Sequence, residues 1–408
     1  MLRGQGQARQ MAEQQRYRVL RRLASGGMAE VFVAESAGIE GFKKRVAIKR
    51  VLPHLSKKDE FIEMFLDEAR LSAQLSHSNV VSVFDIGVGD GAYFIVMEHV
   101  DGADLRTMIE HHKKIGQQVP VEVAVFIATK ICQGLAYAHE LETLDGKPLE
   151  IVHRDITPAN VLITKYGEVK IVDFGLAKAT SQLARSDPGI IKGKFGYLAP
   201  ETVAEQGVDH RVDIFAVGIL LWELLAGRRL FQGDSDFATV RLVRNAVIPP
   251  LSEINDAVPN YLEPIIGRAL ARDPSARFDS AREFGRELTR FLYRFSRPVS
   301  EDDVATFVRS AMGVGARPMD STQKIADLID MVLLEFKSLT KEESGVESEG
   351  AAISLSGYVK GTTLGPPSLG GPLGGLADEL EGPDSLHNER VPEGDAATVK
   401  GWLRGLLR

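Results

Sequence analysis

Ile151-Val-His-Arg-Asp-Ile-Thr-Pro-Ala-Asn-Val-Leu162 is the stretch on which the reading of this 408-residue chain turns. It sets Asp155 and Asn160 in one loop, just ahead of a short apolar run. Asp173-Phe-Gly175 follows after another short hairpin pattern, and Ala199-Pro-Glu201 follows that. Each of these pieces alone is weak, because triplets recur by chance; their order and spacing together are specific. Upstream, Lys49 ends a β-type run, Val46-Ala47-Ile48, and Glu68 stands on the next helical stretch, where it can pair with the lysine. Taken singly, a lysine at a strand end is more often a solvated side chain than a functional one.

The flanking patterns give the architecture. Between Tyr17 and Met97, the runs Val31-Phe-Val-Ala34, Arg45-Val-Ala-Ile-Lys49 and Ala92-Tyr-Phe-Ile-Val-Met97 are of β type, bounded by Gly and Asp turns. Phe61, Phe65, Glu68, Ala69, Ser72 and Leu75 fall near helical spacing. From Asp104 to Tyr293 the pattern is mainly helical, and Val212 to Leu225 is apolar nearly all round, which predicts a helix buried inside a lobe. The expected class is α+β: a small β-rich lobe with one helix over residues 17–100, then a larger α-helical lobe over 101–293.

Composition sets limits on function. Hydrophobic residues make up 44% and charged residues 26%, enough apolar material for a sizeable core. A net charge of -7 argues against general nucleic-acid binding. Cys132 stands alone, which excludes an intramolecular disulfide and a cysteine-based zinc site and fits a reducing compartment. Residues 1–16 read as a polar, flexible leader without the apolar core of a signal peptide. The most apolar stretch, Ile214 to Ala226, is too short to span a bilayer. A cytoplasmic protein without a transmembrane segment is expected. Residues 341–395, including Gly365-Pro-Pro-Ser-Leu-Gly-Gly-Pro-Leu-Gly-Gly375, carry too little apolar surface to offset ordering entropy and are expected to be disordered.

Over about residues 17–293 the chain resembles the eukaryotic-type (Hanks-type) serine/threonine protein kinases of bacteria. The resemblance implies the bilobal protein-kinase fold, use of ATP with Mg²⁺ (Mn²⁺ as the alternative ion), and protein substrates. By position, Lys49 would hold the α/β-phosphates and be set by Glu68, Asp173 and Asn160 would each bind a Mg²⁺, and Asp155 would accept the proton of the substrate hydroxyl. His153 and Phe174 would pack between the lobes, Glu201 would pair with Arg277, and Asp213 would brace the catalytic loop. For the nucleotide, the resemblance puts Met97 at the gatekeeper position; the backbone of Glu98 and Val100 would face the adenine edge, Val31, Ala47 and Leu162 would sandwich the ring, and Asp104 would meet the ribose. Plain core packing is the other reading of the apolar members.

The same resemblance makes Leu23, Ala24, Ser25, Gly26, Gly27 and Met28 the loop that would cover the phosphates. Ala24, Gly26 and Ala29 stand at the three glycine positions of the family loop. Gly26 and Gly27 would still let the backbone come close to a phosphate, and a working but stiffer loop is expected.

Other features depart from the family pattern or bear on regulation. Thr157 occupies the place of the catalytic-loop lysine, and Lys194 the place of a later threonine. One reading is a swapped pair in which Lys194 supplies the missing charge at the γ-phosphate; the other leaves Lys194 in solvent and activity low. Ser72 replaces a common apolar residue four positions after Glu68. Thr143 to Glu150 reads as an extra hairpin around an Asp-Gly turn. Thr180, Ser181 and Ser186 are candidate autophosphorylation sites that would pair with Arg154. A pseudokinase, a nucleotide-binding scaffold without turnover, is the rival reading.

Beyond the catalytic region, residues 294–340 are expected to form two amphipathic helices. The first opens on Ser300-Glu-Asp-Asp303, which resembles a capping box, and carries Val304, Phe307, Val308, Ala311 and Met312 on one stripe. The second carries Ile325, Leu328, Ile329, Val332, Leu333 and Phe336. Packing on the large lobe or on each other is one reading and dimerisation the other. Residues 396–408 form a short basic amphipathic segment, read either as a docking element for a partner groove or an anionic membrane surface, or as a frayed tail.

Overall fold

A computed structural model of the chain describes residues 17–37, 43–89, 91–143, 145–174, 195–295 and 297–313. The first part forms one antiparallel sheet from β1 (Tyr17–Ser25), β2 (Ala29–Ala37), β3 (Lys43–Val51), β4 (Val83–Gly89) and β5 (Ala92–Glu98), in the order β1-β2-β3-β5-β4. One face buries Tyr17, Ala34, Val46, Ile48, Phe94 and Val96. Against the other, helix α1 (Asp59–Ala73) packs Phe61, Ile62, Phe65 and Ala69 onto Val51, Leu55 and Ile95. Each such side chain taken from water contributes about 1.5–3 kcal/mol, which is what holds Glu68 on the buried side of α1.

The large lobe is organised around a helix that has no polar face. In α5 (Arg211–Ala226) every residue from Val212 to Leu225 is buried, and the helix ends at Gly227, whose φ of 66° suits the left-handed C-cap. Around it lie α2 (Leu105–Lys114), α3 (Val121–His139), α4 (Pro200–Val203), α6 (Asp236–Asn245), α7 (Glu263–Ala269) and α8 (Ala281–Phe295). Among the described residues, α3 is the one helix long and apolar enough to cross a membrane, and most of it is buried inside this lobe.

The large lobe also carries a small sheet: the short hairpin expected before Asp173 is β7 (Val161–Thr164) with β8 (Val169–Ile171), and β6 (Gly102–Asp104), which the sequence pattern did not announce, pairs with β7. Its strands are too short to display a period. Gly102 admits the close approach of β6 to β7: a Cβ there would lie 1.8 Å from the Ile163 carbonyl oxygen. The two lobes are stitched at this point. Val81 N donates to Ile171 O (2.9 Å), Ile171 N to Asn79 O (2.9 Å), and Asn79 Nδ2 to Val169 O (2.8 Å).

The expected hairpin at 143–150 is present, with Glu142 bridged to Pro148 and Gly146 at φ 72°. The first C-terminal helix is α9 (Glu301–Ala311), whose Asp303 Oδ2 accepts from both the Ser300 N–H (2.7 Å) and the Ser300 hydroxyl (2.8 Å). It packs on the large lobe, against α2, α3, β6 and β7, burying Val304, Phe307 and Val308. Phe307 stacks on the buried His112 ring at 3.8 Å between centroids. Its N-terminus rests on the β7–β8 turn, where a Cβ on Gly167 (φ 92°) would lie 1.8 Å from the Glu301 carbonyl oxygen. The second helix expected at 325–336 and the 396–408 segment lie outside the described residues.

Candidate active site

Lys49, near the end of β3, is buried between the lobes. Its Nζ lies 3.2 Å from Glu68 Oε1 and 2.8 Å from Asp173 Oδ1. One partner belongs to α1 and the other to the segment after β8, so a single ammonium joins both lobes. Burial works against its charge, but Asp173 and Glu68 outweigh that and hold the Lys49 pKa well above its ordinary value. Burial bears harder on Glu68. Its Oε2 is sealed without a partner, and burial pushes the carboxyl up to about 7 against the opposing pull of Lys49.

The catalytic-loop residues lie on the large-lobe side of the same cleft. Asn160 closes a 3₁₀ turn (Pro158–Asn160), and its Nδ2 donates to Asp155 Oδ2 (2.9 Å) and Asp155 O (2.8 Å). That fixes the Asp155 carboxylate in orientation. The preceding Arg154 has a φ of 63°, a left-handed conformation that costs a non-glycine residue energy. Asp213, from the buried α5, stabilises it: Oδ1 accepts from Arg154 N (2.8 Å), and Oδ2 accepts from His153 N (2.8 Å) and His139 Nε2 (2.8 Å). Burial alone would raise the Asp213 pKa, yet these donors and the neighbouring imidazoles keep it below the usual carboxylate range.

His153 donates from Nε2 to Val172 O (3.1 Å) and accepts from Asp155 N at Nδ1 (3.2 Å), the pattern of a neutral imidazole. Burial lowers its pKa accordingly. Its ring meets Phe174 at 4.5 Å between centroids, which keeps Asp173 turned toward Lys49. Asp173 itself has φ 67°. Thr157 is buried and extended, with its carbonyl accepting from Asn160 N (3.0 Å).

The expected adenine-pocket residues converge. Ala47, Val81 and Met97 form one cluster with Val31, Val83, Val100, Leu162 and Val172 packed against it. Asp104 caps α2, accepting from Thr107 N and Thr107 Oγ1 at 2.9 Å each. Its carboxylate is thus committed to the helix end, which the expected ribose contact would have to share. Behind Met97, Ser72 helps line a cavity of about 20 Å³. A larger cavity of about 470 Å³ lies between α3 and α8, away from these charged groups, so the site is assigned from chemistry and not from cavity size.

The expected phosphate loop divides in two. Leu23, Ala24 and Ser25 are the last residues of β1, with Leu23 at a register shift and Ala24 and Ser25 paired with β2, so only Gly26, Gly27 and Met28 form the turn itself. Gly26 N donates to Ala29 O (2.9 Å) across it. Gly27 lies exposed in the bend beside Gly26, and both have negative φ, so neither is held there by a left-handed backbone. A Cβ on Gly26 would meet nothing closer than Ala29 O at 3.6 Å. The space beside the turn is therefore open, as close backbone approach to an anion requires. Met28 turns away from this loop and packs against the α1 cluster.

The donor set fits a hard divalent cation. Asp173 and Asn160 offer oxygen ligands, and among the described residues no cluster of three His, Cys, Asp or Glu competes with them. Mg²⁺ is commonly held by one or two protein oxygens together with substrate phosphates. The buried Lys49 supplies a fixed positive charge for the same anion.

Several positioning residues carried no signal in the sequence. His139 braces Asp213 across 74 positions, and Lys165 and Lys170 tie the inter-lobe segment to the β7–β8 hairpin through Asp101 (2.7 Å) and Glu98 (2.9 Å). Pairings at such separations leave no periodicity. The expected Glu201–Arg277 pair is present and buried, bidentate at 2.7 Å. Lys194, Thr180, Ser181 and Ser186 lie outside the described residues, as does Gly175.

The comparison with known proteins agrees with this geometry. Residues 17–286 match the model of the protein kinase domain. MasK of Myxococcus xanthus, named a tyrosine-protein kinase, is 41% identical over 68% of this chain and 43% of its own. The serine/threonine-protein kinase PrkC of Bacillus subtilis is 37% identical over 66% of this chain and 39% of its own. The chain therefore spans less than half the length of these two relatives. The crystal structure of the PknI kinase domain of Mycobacterium tuberculosis superposes with a TM-score of 0.51 at 29% identity, covering 68% of this chain and 95% of that one. With the Lys49–Glu68–Asp173 triangle and the Asp155–Asn160 loop in place, the chain belongs to the protein kinase family, in company with the eukaryotic-type kinases of bacteria.

Proposed function

We propose that this chain transfers the γ-phosphoryl group of ATP to serine and threonine hydroxyls of proteins, in bacterial signalling. One observation carries the reading: the Lys49 ammonium is shared between Glu68 and Asp173 beside an Asp155 held by Asn160. Phosphoryl transfer asks the protein mainly for positioning and charge control. Lys49 binds and orients the phosphates, with Glu68 keeping the ammonium in place. Asp173 and Asn160 would hold Mg²⁺, which when bound neutralises the charge of the phosphates. Asp155 orients the acceptor hydroxyl and takes its proton, a role that contributes about 10²–10⁴-fold in rate. Loss of any one of these side chains is common in a scaffold without turnover, and all five are here.

Autophosphorylation at Thr180, Ser181 or Ser186, with Arg154 as the phosphate's partner, is part of the same proposal. So is the exchange of roles between Thr157 and Lys194, which Thr157→Lys and Lys194→Thr, made singly and together, would test through their coupling. A cytoplasmic location accords with the ATP requirement and with the free, buried Cys132. Tyrosine as acceptor is the second reading. The name of MasK and the absence of a lysine at position 157 both favour it.

The test is incubation of the purified chain with Mg²⁺ and labelled ATP, alone and with casein as acceptor, beside an Asp155→Asn control. Acid hydrolysis then identifies the labelled amino acid. Label on serine or threonine that depends on Asp155 supports the proposal; label on tyrosine moves it to the second reading. Nucleotide binding without any transfer refutes it.

A further inference from the structure

The surface next to the catalytic loop carries an arginine cluster that the phosphotransfer chemistry does not use. Tyr197 lies in a 3₁₀ turn (Phe195–Tyr197), and its hydroxyl donates to Glu223 Oε2 (2.7 Å). Arg229 Nη1 donates to the same hydroxyl (2.7 Å), its guanidinium lies 4.4 Å over the Tyr197 ring, and its Nε is 3.4 Å from Glu223 Oε1. Leu230 N also donates to Oε1 (3.0 Å). The one carboxylate under this turn is thus buried and fully engaged, with only 3% of its side chain exposed, while 37% of Arg229 faces outward.

Two further cations flank it. Arg228 is exposed, lies over the Trp222 ring at 5.4 Å, and makes no ion pair among the described residues. Arg106, in the first turn of α2, is 62% exposed; its nearest carboxylate is Asp104 at 3.9 Å, whose two oxygens already serve Thr107. Arg106 is close enough to act electrostatically on Tyr197. Asp234 and Asp236 belong to the entry of α6, where Asp236 complements the helix N-terminus. Arg106, Arg228 and Arg229 stand against two engaged carboxylates, Glu223 and Asp104, which leaves a positive surplus.

The position of the cluster gives the surplus a role. α2 packs on the Pro158–Asn160 turn, and Asn160 holds Asp155. An acceptor hydroxyl at Asp155 places the neighbouring residues of an extended peptide about 7–14 Å away for neighbours two to four positions off. The surface formed by α2 and the 195–197 and 228–230 segments adjoins that loop through the contact of α2 with the Pro158–Asn160 turn. We infer that Arg106, Arg228 and Arg229 form an acidophilic subsite, so that this kinase selects hydroxyls flanked by aspartate and glutamate. The inference rests on the proposed phosphotransfer and names the substrate class for it.

The test uses short synthetic peptides with one central serine, identical except for flanks of glutamate, alanine or lysine. The kcat/KM of the glutamate peptide is expected to exceed that of the lysine peptide by about tenfold or more, since each exposed charge pair contributes modestly and two or three act together. Raising the salt concentration should compress the ratio. Arg106→Glu with Arg228→Glu should invert it, Arg229 being left to hold Tyr197. The ratio is taken within one preparation, so it does not depend on the folded fraction. Equal rates, a lysine preference in the native protein, or a glutamate preference that survives the double reversal would each overturn the inference. Absence of transfer to every peptide and to casein would instead refute the phosphotransfer reading, and the subsite with it.

Discussion

Replacing Asp213 by asparagine keeps the shape of the brace and removes one acceptor. Asp213 Oδ2 accepts from His153 N and His139 Nε2, and Oδ1 from Arg154 N, all at 2.8 Å. An amide has a single oxygen. With that oxygen in the Oδ2 place, the new NH₂ group faces Arg154 N–H. Flipped, it faces His153 N–H, while His139 can move its proton to the otherwise unpartnered Nδ1 and accept at Nε2. One buried backbone N–H loses its partner either way, which costs about 1–3 kcal/mol, and the retained bonds, no longer charge-assisted, lose roughly 1 kcal/mol each. The sum is about 3–5 kcal/mol, equivalent to roughly 5–15 °C in Tm for a domain of this size.

The functional consequence follows from Arg154. Its φ of 63° persists because Asp213 over-determines it. Released, the backbone at 154–155 relaxes and Asp155 moves with it. A displacement of about 1 Å at a reacting group can cost on the order of 10²-fold in rate. Asp213→Asn should therefore lower kcat by about two orders of magnitude, while nucleotide affinity changes by less than about twofold, since Lys49 and Asp173 keep their own partners. Steady-state kinetics, nucleotide titration and thermal unfolding on one preparation measure all three. A kcat within a few-fold of the native value, or nucleotide affinity falling in parallel with kcat, would refute the reasoning.

Other perturbations test other parts of the molecule. Glu68 is raised from 4.5 to about 7, so the folded state binds its proton more tightly than the unfolded chain; this contribution to stability is whole below about pH 4.5 and is lost as pH rises through about 7. Glu68→Gln should flatten that slope in denaturant unfolding followed across pH 5–8, and an unchanged slope would reassign it. Glu201→Gln should cost about 3–5 kcal/mol by leaving Arg277 buried without its anion, read as a lower urea midpoint. Gly167→Ala would place a Cβ against Glu301 O and demand φ 92° of alanine; α9 should detach, with faster amide exchange over 301–311 and little change at Lys49.

What the sequence made legible was whatever is encoded locally. Asp155, Asn160 and Asp173 sit in loops at short fixed separations, and the 212–225 helix betrays its burial because an all-round apolar run has nowhere else to go. The 143–150 hairpin and the start of α9 were readable from Asp-Gly and from Ser300 with Asp303. Strand β1 was poorly legible: Arg18, Arg21 and Arg22 interrupt it, and register shifts between Val19 and Arg21 and between Arg22 and Ala24 destroy the period. That is why the phosphate loop, drawn by position from Leu23, is in fact a strand end followed by a turn at Gly26 and Gly27. Met28 was assigned to the same loop and turns out to serve the α1 core as well, which only the packing reveals. β6 has three residues, too few for any pattern, whereas β7 and β8 form the short hairpin the sequence did mark before Asp173. The Gly167–Glu301 approach and the His139 brace join residues 134 and 74 positions apart, and nothing in a local window marks them.

The partners of each proposed catalytic group divide the molecule into two mechanical paths. Asp155 is oriented by Asn160, and its backbone by Asp213, which descends from the buried α5 and is steadied by His139 on α3. Lys49 and Glu68 belong to the small lobe, and their hold on Asp173 depends on the lobes staying in register through Asn79, Val81 and Ile171. A core substitution in α3 or α5 thus reaches the hydroxyl-activating side of the proposed reaction first. A substitution at the 79–81 stitch reaches the phosphate-holding side, because it lets Asp173 move relative to Lys49. Gly134 lies at the junction of the two: a Cβ there would come within 2.9 Å of Asn79 O, while its own helix carries His139. Enlarging that residue should therefore disturb nucleotide binding and turnover together, where a change at Asp213 disturbs turnover alone.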